Sequence, residues 1–424
     1  MFSCLLTISL LSLLSDSELC IINKEKVLEL TKFYLKTLSL RDKKSLYFLN
    51  KTISKEKINL MHITLVVGTR PNFVKISPII RQIQKKKAEG LAIEYSLVHT
   101  GQHYDDKMSN SFFKELNIPL PDFNLNVGSG SQAEQTGTIM VGFEKYLLQN
   151  PTDLVLVVGD VTSTMACSVT AKKLNIKLAH VEGGIRSFDR TMPEEINRLI
   201  TDSITDYFFT TSAFANQNLL KEGIPASSVF FVGNVMIDTL VTFRSSFRKP
   251  IFFDKLNLKS KEYFVVTLHR PSNVDDAQNL SKIIQTIAEN SNNKTIVFPV
   301  HPRTRAVIAT IENIPDNIQF VEPLPYLEFN YLVEQSYAVI TDSGGVTEET
   351  TYMKIPCLTL RDNTERPETC SIGTNVLVGS DPNNLTFSLK NLYNEDYNNK
   401  SIPELWDGKT SERIINHIIA LFQA

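Results

Sequence analysis

What this sequence has little of narrows its function before any motif is read. Its five cysteines are odd in number and none falls in a CxxC pair. Neither a disulfide framework nor a cysteine zinc site is expected, and a reducing cytoplasm is the expected setting. Net charge is also scarce: 44 Lys and Arg against 46 Asp and Glu leave −2. That excludes the global field that would hold nucleic acid or an anionic membrane. Any anionic ligand must be held locally, by a few Arg or Lys side chains or by helix N-termini. Residues 2–14 are apolar but short for a membrane span, and no positive leading region or small-residue cleavage site accompanies them. Short repeats and low-complexity tracts are lacking, which excludes solenoids. GxGxxG, GxxxxGKS, HExxH and GxSxG are all missing. Dinucleotide binding, P-loop hydrolysis, a zincin-type metal site and a hydrolase elbow are therefore not indicated.

At 424 residues the chain exceeds one ordinary core, so two domains are expected. Hydrophobic residues at 42% and charged residues at 21% are ordinary for a globular protein. Residues 1–60 read differently from the rest, with an apolar start and then a Lys-rich, poorly patterned stretch. Met61 opens directly into the strand-like HITLVVGT, and the expectation is that 1–60 is an N-terminal extension outside the native fold. From there strand-like runs at 63–69, 95–99, 153–158, 177–181, 207–211 and 229–232 alternate with helical patterns. After a linker around 245–260 a second series follows at 263–268, 295–299, 319–321, 338–341 and 356–360. Continuous apolar strands alternating with helices mark parallel sheets covered on both faces. The expected fold is α/β, with two Rossmann-like domains, 61–232 and 233–409, facing a central cleft. A C-terminal helix at 410–424 is expected to pack back on the first domain.

In such folds ligands bind beyond the carboxyl ends of the strands, and there the unusual residues fall. The stretch 179–198, AHVEGGIRSFDRTMPEEINR, carries more charge than a strand-to-helix turn needs. Glu182 lies one residue past an apolar strand, where burial is expected to raise its pKa. Glu194 follows Pro193 in a first helical turn, where a plain helix-dipole partner is the alternative. Asp160 directly follows another buried strand, as an N-cap or a functional acid. In TDSGGVTEE (341–349), Ser343, Gly344 and Gly345 open a helix; glycine admits a ligand close to the backbone and a helix N-terminus favours phosphate. A Ser-capped turn is the alternative. Glu349 is placed to accept hydrogen bonds from a ribose diol, and Arg70, Lys75, Arg270 and Arg366 can supply the countercharge of a diphosphate. His269 and His301 follow strands and precede Pro-bearing loops, which suits ligand contact. His180 lies in an apolar run and reads equally as a core residue, as do Cys167 and Cys357.

The motifs VVGTRPNFVK, HTGQH, LVVGDVTST, HVEGGIRS, MPEEINR, VTLHRPSN, VHPRTR, TDSGGVTEE and LRDNTERPE occur in this order between residues 61 and 379. With them the chain resembles the non-hydrolysing UDP-N-acetylglucosamine 2-epimerases of bacterial polysaccharide pathways. The resemblance implies a GT-B-like pair of domains, a homodimer, a UDP-sugar substrate, and neither cofactor nor metal. It implies interconversion of UDP-GlcNAc and UDP-ManNAc by elimination and re-addition of UDP at C1 with proton exchange at C2. Asp160, Glu182, Glu194 and His269 carry over as catalytic, the carboxylates for proton transfer and His269 as stabiliser of the leaving diphosphate. Arg70, Lys75, His301, Ser343, Gly344, Gly345, Glu349 and Arg366 carry over as ligand-binding. Gln102 and His103 match a loop that in the family belongs to a second, activating UDP-GlcNAc site.

Some positions depart from the family pattern. Asn72 stands where members usually have Glu, and Gly183 where Ala is common. Tyr104 stands where many have Arg, which leaves activation open. Close relatives act on other UDP-sugars, such as a diacetamido-uronic acid. A glycosyltransferase of the same fold class would share the SGG…E site but not GTRP, GDxxST and HVExG together.

Overall fold

The computed structural model describes residues 60–101, 113, 115–300, 302–379, 381–394 and 400–423. The apolar runs form β1 (Met61–Val67), β2 (Ile93–His99), β3 (Phe123–Asn124), β4 (Leu154–Val158), β5 (Lys177–Val181), β6 (Tyr207–Thr210) and β7 (Val229–Phe231). Then come β8 (Tyr263–Thr267), β9 (Thr295–Pro299), β10 (Ile318–Val321), β11 (Ala338–Thr341), β12 (Cys357–Thr359) and β13 (Asn375–Leu377). Helices important to the site or its support are α1 (Arg70–Ala88), α2 (Gln132–Gln149), α3 (Thr162–Lys173), α4 (Pro193–Ile204), α5 (Tyr326–Gln335), α6 (Gly344–Met353), α7 (Pro367–Ser371) and α8 (Thr410–Gln423). Lys85–Ile93 fall in one compact unit, and Met61–Gln84 with Glu94–Ala424 in another. In the first, Leu91 N–H donates to Lys86 O (3.0 Å) to close the turn after α1. The site lies wholly in the second. The expectation for residues 1–60 lies outside the described residues, save Leu60.

Two sheets result, in the orders β3-β2-β1-β4-β5-β6-β7 and β10-β9-β8-β11-β12-β13. Parallel pairings join β4 to β1 and β5, and β11 to β8 and β12. Each sheet reverses its direction of growth once, between β1 and β4 and between β8 and β11. This is the doubly wound order, and the reversal opens a crevice at the carboxyl ends of the strands. The two α/β halves together have a GT-B-like architecture.

The central strands are apolar because both of their faces are covered. All five residues of β4 are buried, and all four of β11. Val155 and Val157 pack against Ile139 and Phe143 of α2 and Ala166 and Cys167 of α3. In the second sheet Phe264 and Ile340 enter one cluster, while Val265 and Val339 enter the other. That is the alternation expected of a strand between two helical layers. Truncating one such Leu or Ile to Ala costs about 2–5 kcal/mol. Cys357 is buried in this core and its thiol is pushed up to about 12 by burial. Both Cys167 and Cys357 thus behave as small core residues.

The chain also contains β3, α2 and β13, which periodicity alone does not announce. At the other end, α8 returns to the first sheet, where His417 lies against the Phe230 ring at 4.7 Å between centroids. Arg413 there donates to Val232 O at 3.0 Å. Among the described residues no helix is long and apolar enough to cross a membrane.

Candidate active site

The first sheet's switch point is tied together by Asn72. Its Oδ1 accepts from Gly68 N (3.3 Å), Thr69 N (3.0 Å) and Thr69 Oγ1 (3.0 Å), and its Nδ2 donates to Val158 O (2.9 Å). One side chain thus joins the start of α1 to the end of β4. Gly159 follows with φ of +70°, and a Cβ there would lie 3.4 Å from both Asn72 Nδ2 and Lys75 Nζ. The missing side chain lets Lys75 reach across the turn to the end of β5.

There it meets Glu182, whose φ of +74° is left-handed. For a residue with a Cβ this costs about 1–2 kcal/mol, and such strain gathers at functional sites. Glu182 Oε2 accepts from Lys75 Nζ (2.7 Å) and Arg366 Nη2 (2.9 Å), while its buried Oε1 has no hydrogen-bond partner. Burial pushes this carboxyl up, but Lys75 and Arg366 outweigh it and hold the group below its ordinary value. The expected rise at Glu182 is therefore reversed. It occurs instead at two neighbours on α6. Burial pushes Glu348 up to about 7, with Arg366 opposing and Glu182 assisting. Glu349, also buried, is pushed up to about 7, with Asn330 Nδ2 donating to its Oε1 at 3.4 Å.

Arg366 is the hub of this cluster. It is 5% exposed and reaches three ways: Nη2 to Glu182, Nη1 to Thr211 Oγ1 (3.0 Å), and Nε to Glu348 Oε1 in an ion pair. A second guanidinium does similar work alongside. Arg198 donates from Nη2 to Asp160 Oδ2 (2.6 Å) and from Nη1 to Glu195 Oε2 (2.6 Å). Glu195 in turn accepts from the backbone N–H groups of Ser187 (2.9 Å) and Phe188 (3.0 Å), which fixes the loop before α4. Pro193 begins α4, and Glu194 stays exposed in its first turn.

Beneath the loop lies a separate buried network. Arg186 binds Asp202 (2.7 Å) and Glu222 (2.6 Å), and Asp202 also meets His180 Nδ1 (2.6 Å). His180 Nε2 lies 2.9 Å from Gly159 O. Arg186 therefore shapes the loop from below, and His180 is a satisfied core histidine.

The second sheet contributes the helix start of α6. Ser343 occupies the N-cap position without a side-chain capping bond, and the first N–H groups of a helix lack partners within it. A Cβ on Gly344 would lie 3.0 Å from Glu365 Oε1. Arg361 holds Glu365 by Nη2 to Oε2 (2.6 Å), and although burial opposes it, this bond brings the Glu365 carboxyl down to about 2. Just past the end of β11, buried Asp342 accepts from the N–H groups of His269 (3.1 Å) and Arg270 (3.0 Å) and from Asn273 Nδ2 (2.9 Å), all of which follow β8. It also pairs with His269 Nδ1 at 2.8 Å, leaving the His269 side chain 57% exposed.

A cavity of about 400 Å³ joins the two sets. From the first half it is lined by Arg70, Lys75, Asp160, Glu182 and Glu194, and from the second by Arg270, Ser343, Gly344, Gly345, Glu349 and Arg366. His269 does not line it but is anchored next to Arg270 through Asp342. Gln102, His103 and His301 lie outside the described residues. Sequence reasoning did not assign Arg198 or Glu348, which also line the cavity. The signal for both was their place within motifs already singled out, MPEEINR and TDSGGVTEE. Among the described residues no group of His, Cys, Asp and Glu is arranged to hold a metal ion.

Fold and site together define a GT-B-like α/β protein whose cavity brings a glycine-opened helix start and several basic side chains beside a set of acids. The family model for UDP-N-acetylglucosamine 2-epimerase matches residues 84–419, and the chain belongs to that family. The UDP-N-acetylglucosamine 2-epimerase of Methanocaldococcus jannaschii is 42% identical over 366 residues, covering 84% of this chain and 98% of the relative. The UDP-2,3-diacetamido-2,3-dideoxy-D-glucuronate 2-epimerase of Pseudomonas aeruginosa is 39% identical over 324 residues, covering 76% and 89%. A crystal structure of the M. jannaschii enzyme in complex with UDP-GlcNAc and UDP matches with a TM-score of 0.76 at 40% identity. That match covers 85% of this chain and 100% of the other.

Proposed function

We propose that the chain is a UDP-N-acetylglucosamine 2-epimerase that interconverts UDP-GlcNAc and UDP-ManNAc. The observation that carries this reading is the shared cavity: the acids of the first sheet face the glycine-opened helix of the second. A diphosphate on Ser343, Gly344 and Gly345, countered by Arg70 and Arg270, would set the sugar against Asp160, Glu182 and Glu194. Glu349 would accept from the ribose diol. One carboxylate takes the C2 proton while the C1–O electron pair leaves with UDP, which yields a glycal. UDP then adds back at C1 as a second acid delivers a proton to the other face of C2. Oε1 of Glu182 suits one of these roles, because Lys75 and Arg366 occupy Oε2 alone. His269, with Nδ1 committed to Asp342, would offer Nε2 to the leaving diphosphate.

The test is NMR of UDP-GlcNAc incubated with the protein in deuterated water. Deuterium at C2 and a UDP-ManNAc product support the reading; release of free sugar without epimerisation would sink it. Glu182→Gln and Asp160→Asn are each expected to abolish exchange while UDP binding persists. The P. aeruginosa relative favours a second reading, a 2-epimerase of a UDP-diacetamido-uronic acid, and the same experiment with that substrate decides between them. We further infer a cytoplasmic homodimer serving cell-surface polysaccharide synthesis, checked for assembly by light scattering. Activation by UDP-GlcNAc through Gln102 and His103 would show as sigmoidal kinetics.

A further inference from the structure

The cavity has a charge problem. Five basic side chains (Arg70, Lys75, Arg198, Arg270, Arg366) line it against six acidic ones (Asp160, Glu182, Glu194, Glu348, Glu349, Glu365). Arg361 beside the cavity offsets Glu365, so the remaining lining, fully ionised, carries five charges of each sign and has no surplus cation for a diphosphate. Most of these acids have a stated task in the reaction or hold a cation at the rim. Glu348 has neither. It is 1% exposed, on the second turn of the helix whose N-terminus opens on the cavity. Arg366, whose other nitrogens serve Glu182 and Thr211, gives it only Nε. The charged groups around it are Arg366 from the loop before α7, Glu182 from the end of β5, Lys75 from α1 and Glu368 from α7. Two of these are cations already engaged with Glu182 and two are acids.

We propose that Glu348 is the group that takes up a proton when the diphosphate of a UDP-sugar enters, so that the cavity sheds one negative charge as it gains the ligand's. The inference rests on the nucleotide-sugar reading of the site and deepens it. Burial raises the Glu348 carboxyl to about 7, which makes it able to take up a proton in the neutral range. An anion placed beside it disfavours the ionised form, and the proton comes from solvent. Shared use of Arg366 gives the step a positioning consequence: once Glu348 is neutral, the guanidinium's charge falls to Glu182 alone. Glu349 titrates in the same range but with the opposite sign, since a ribose diol donating to its carboxylate favours ionisation and releases a proton.

Calorimetric titration of the full-length protein with UDP, in buffers of different ionisation enthalpy at pH 6–8.5, counts the protons moved. At pH 8 the wild type is expected to take up about one proton more per UDP than Glu348→Gln. Glu349→Gln is expected to retain the uptake and to reveal it without an opposing release. Wild-type affinity should fall with pH above 7, by up to about tenfold per unit, and Glu348→Gln should lose that component. A merely structural Glu348 would lower affinity equally at every pH. Equal proton counts in wild type and Glu348→Gln overturn the inference. If Glu348→Gln does not fold, absence of uptake in Glu349→Gln overturns it. Failure of the wild type to bind UDP sinks the nucleotide reading and this inference with it, whereas UDP binding without the proton difference sinks this inference alone.

Discussion

Replacing Lys75 by Met removes one of the two cations on Glu182 while keeping an unbranched side chain one atom shorter. Lys75 Nζ lies 2.7 Å from Glu182 Oε2, with 14% and 3% of the two side chains exposed, so solvent screens the pair little. A hydrogen bond to a charged group contributes about 1.5–3 kcal/mol. One pKa unit corresponds to about 1.36 kcal/mol. If ionised Glu182 takes the C2 proton, the acid limb of the kcat/KM profile moves to higher pH by about one to two units, limited by the remaining Arg366. The sign follows from the geometry, since loss of a cation makes the carboxylate easier to protonate.

Stability is expected to change in a linked way. Glu182 has a folded pKa below its unfolded value near 4.5. It therefore contributes stability that is present above that value and lost as pH falls through the folded pKa. Lys75→Met shrinks this contribution, so its urea midpoint should lie below wild type at neutral pH and approach it in acid. The assays are C2 deuterium exchange across pH 3.5–9 and urea melts across pH 3–7. An unmoved acid limb in a folded Lys75→Met protein would refute the claim that Lys75 holds Glu182 ionised.

Three further substitutions test the frame around the site. Gly159→Ala forces a side chain into φ of +70° and within 3.4 Å of Lys75 Nζ; it is expected to cost about 1–2 kcal/mol by denaturant midpoint and to slow exchange. Asp342→Asn leaves the N–H groups of His269 and Arg270 with a poorer acceptor, a loss of about 2–4 kcal/mol. Burial raises the Asp342 pKa, but its bonds from His269, Asn273 and Arg270 bring it below the ordinary 3.8. Its contribution is thus present above 3.8 and lost in acid, and the Asn variant's midpoint should vary less than wild type's between pH 5 and 2. Arg186→Lys cannot span Asp202 and Glu222 together, and with that side chain 1% exposed the loss is about 2–4 kcal/mol. Because Arg186 lies beneath the loop, calorimetry of the folded variant should give wild-type UDP affinity.

How much of this was legible in the sequence differs by element. β5, β9 and β11 fall on the residues that their apolar runs marked, because a strand covered on both faces must be apolar throughout. β3 and β13 are too short, at two and three residues, for any period to register. α2 was readable in principle. Ser131 and Glu134 form a capping box at its start, a spacing visible in SQAE. The acids were legible as a set because they follow strand ends. Their pKa values were not, since the direction at Glu182 depends on Lys75, 107 residues away, and on Arg366, 184 residues away. Burial alone predicts the wrong sign there and the right sign at Glu348. The difference lies in how many cations each carboxylate commands, which only the folded contacts reveal.

That division explains why the acids depend on the second half of the chain. Glu182 draws one cation, Lys75, from α1 of its own half and the other, Arg366, from the loop after β12. Arg366 in turn is kept at Glu182 by Thr211, at the end of β6, and by Glu348 on the helix that opens on the cavity. A rigid guanidinium fork can hold two carboxylates at a fixed separation, which a flexible ammonium cannot. The same holds at Arg198, which joins Asp160 to Glu195 and so couples an acid lining the cavity to the first turn of α4, which carries Glu194. Each such acid is thus pinned on one side by a guanidinium that also holds a second carboxylate. The other side is left to the ligand. Moving either half by an ångström would break Arg366 from Glu182 before it disturbed either sheet, so the acid set is complete only in the geometry that also brings the helix N-terminus of α6 to the cavity.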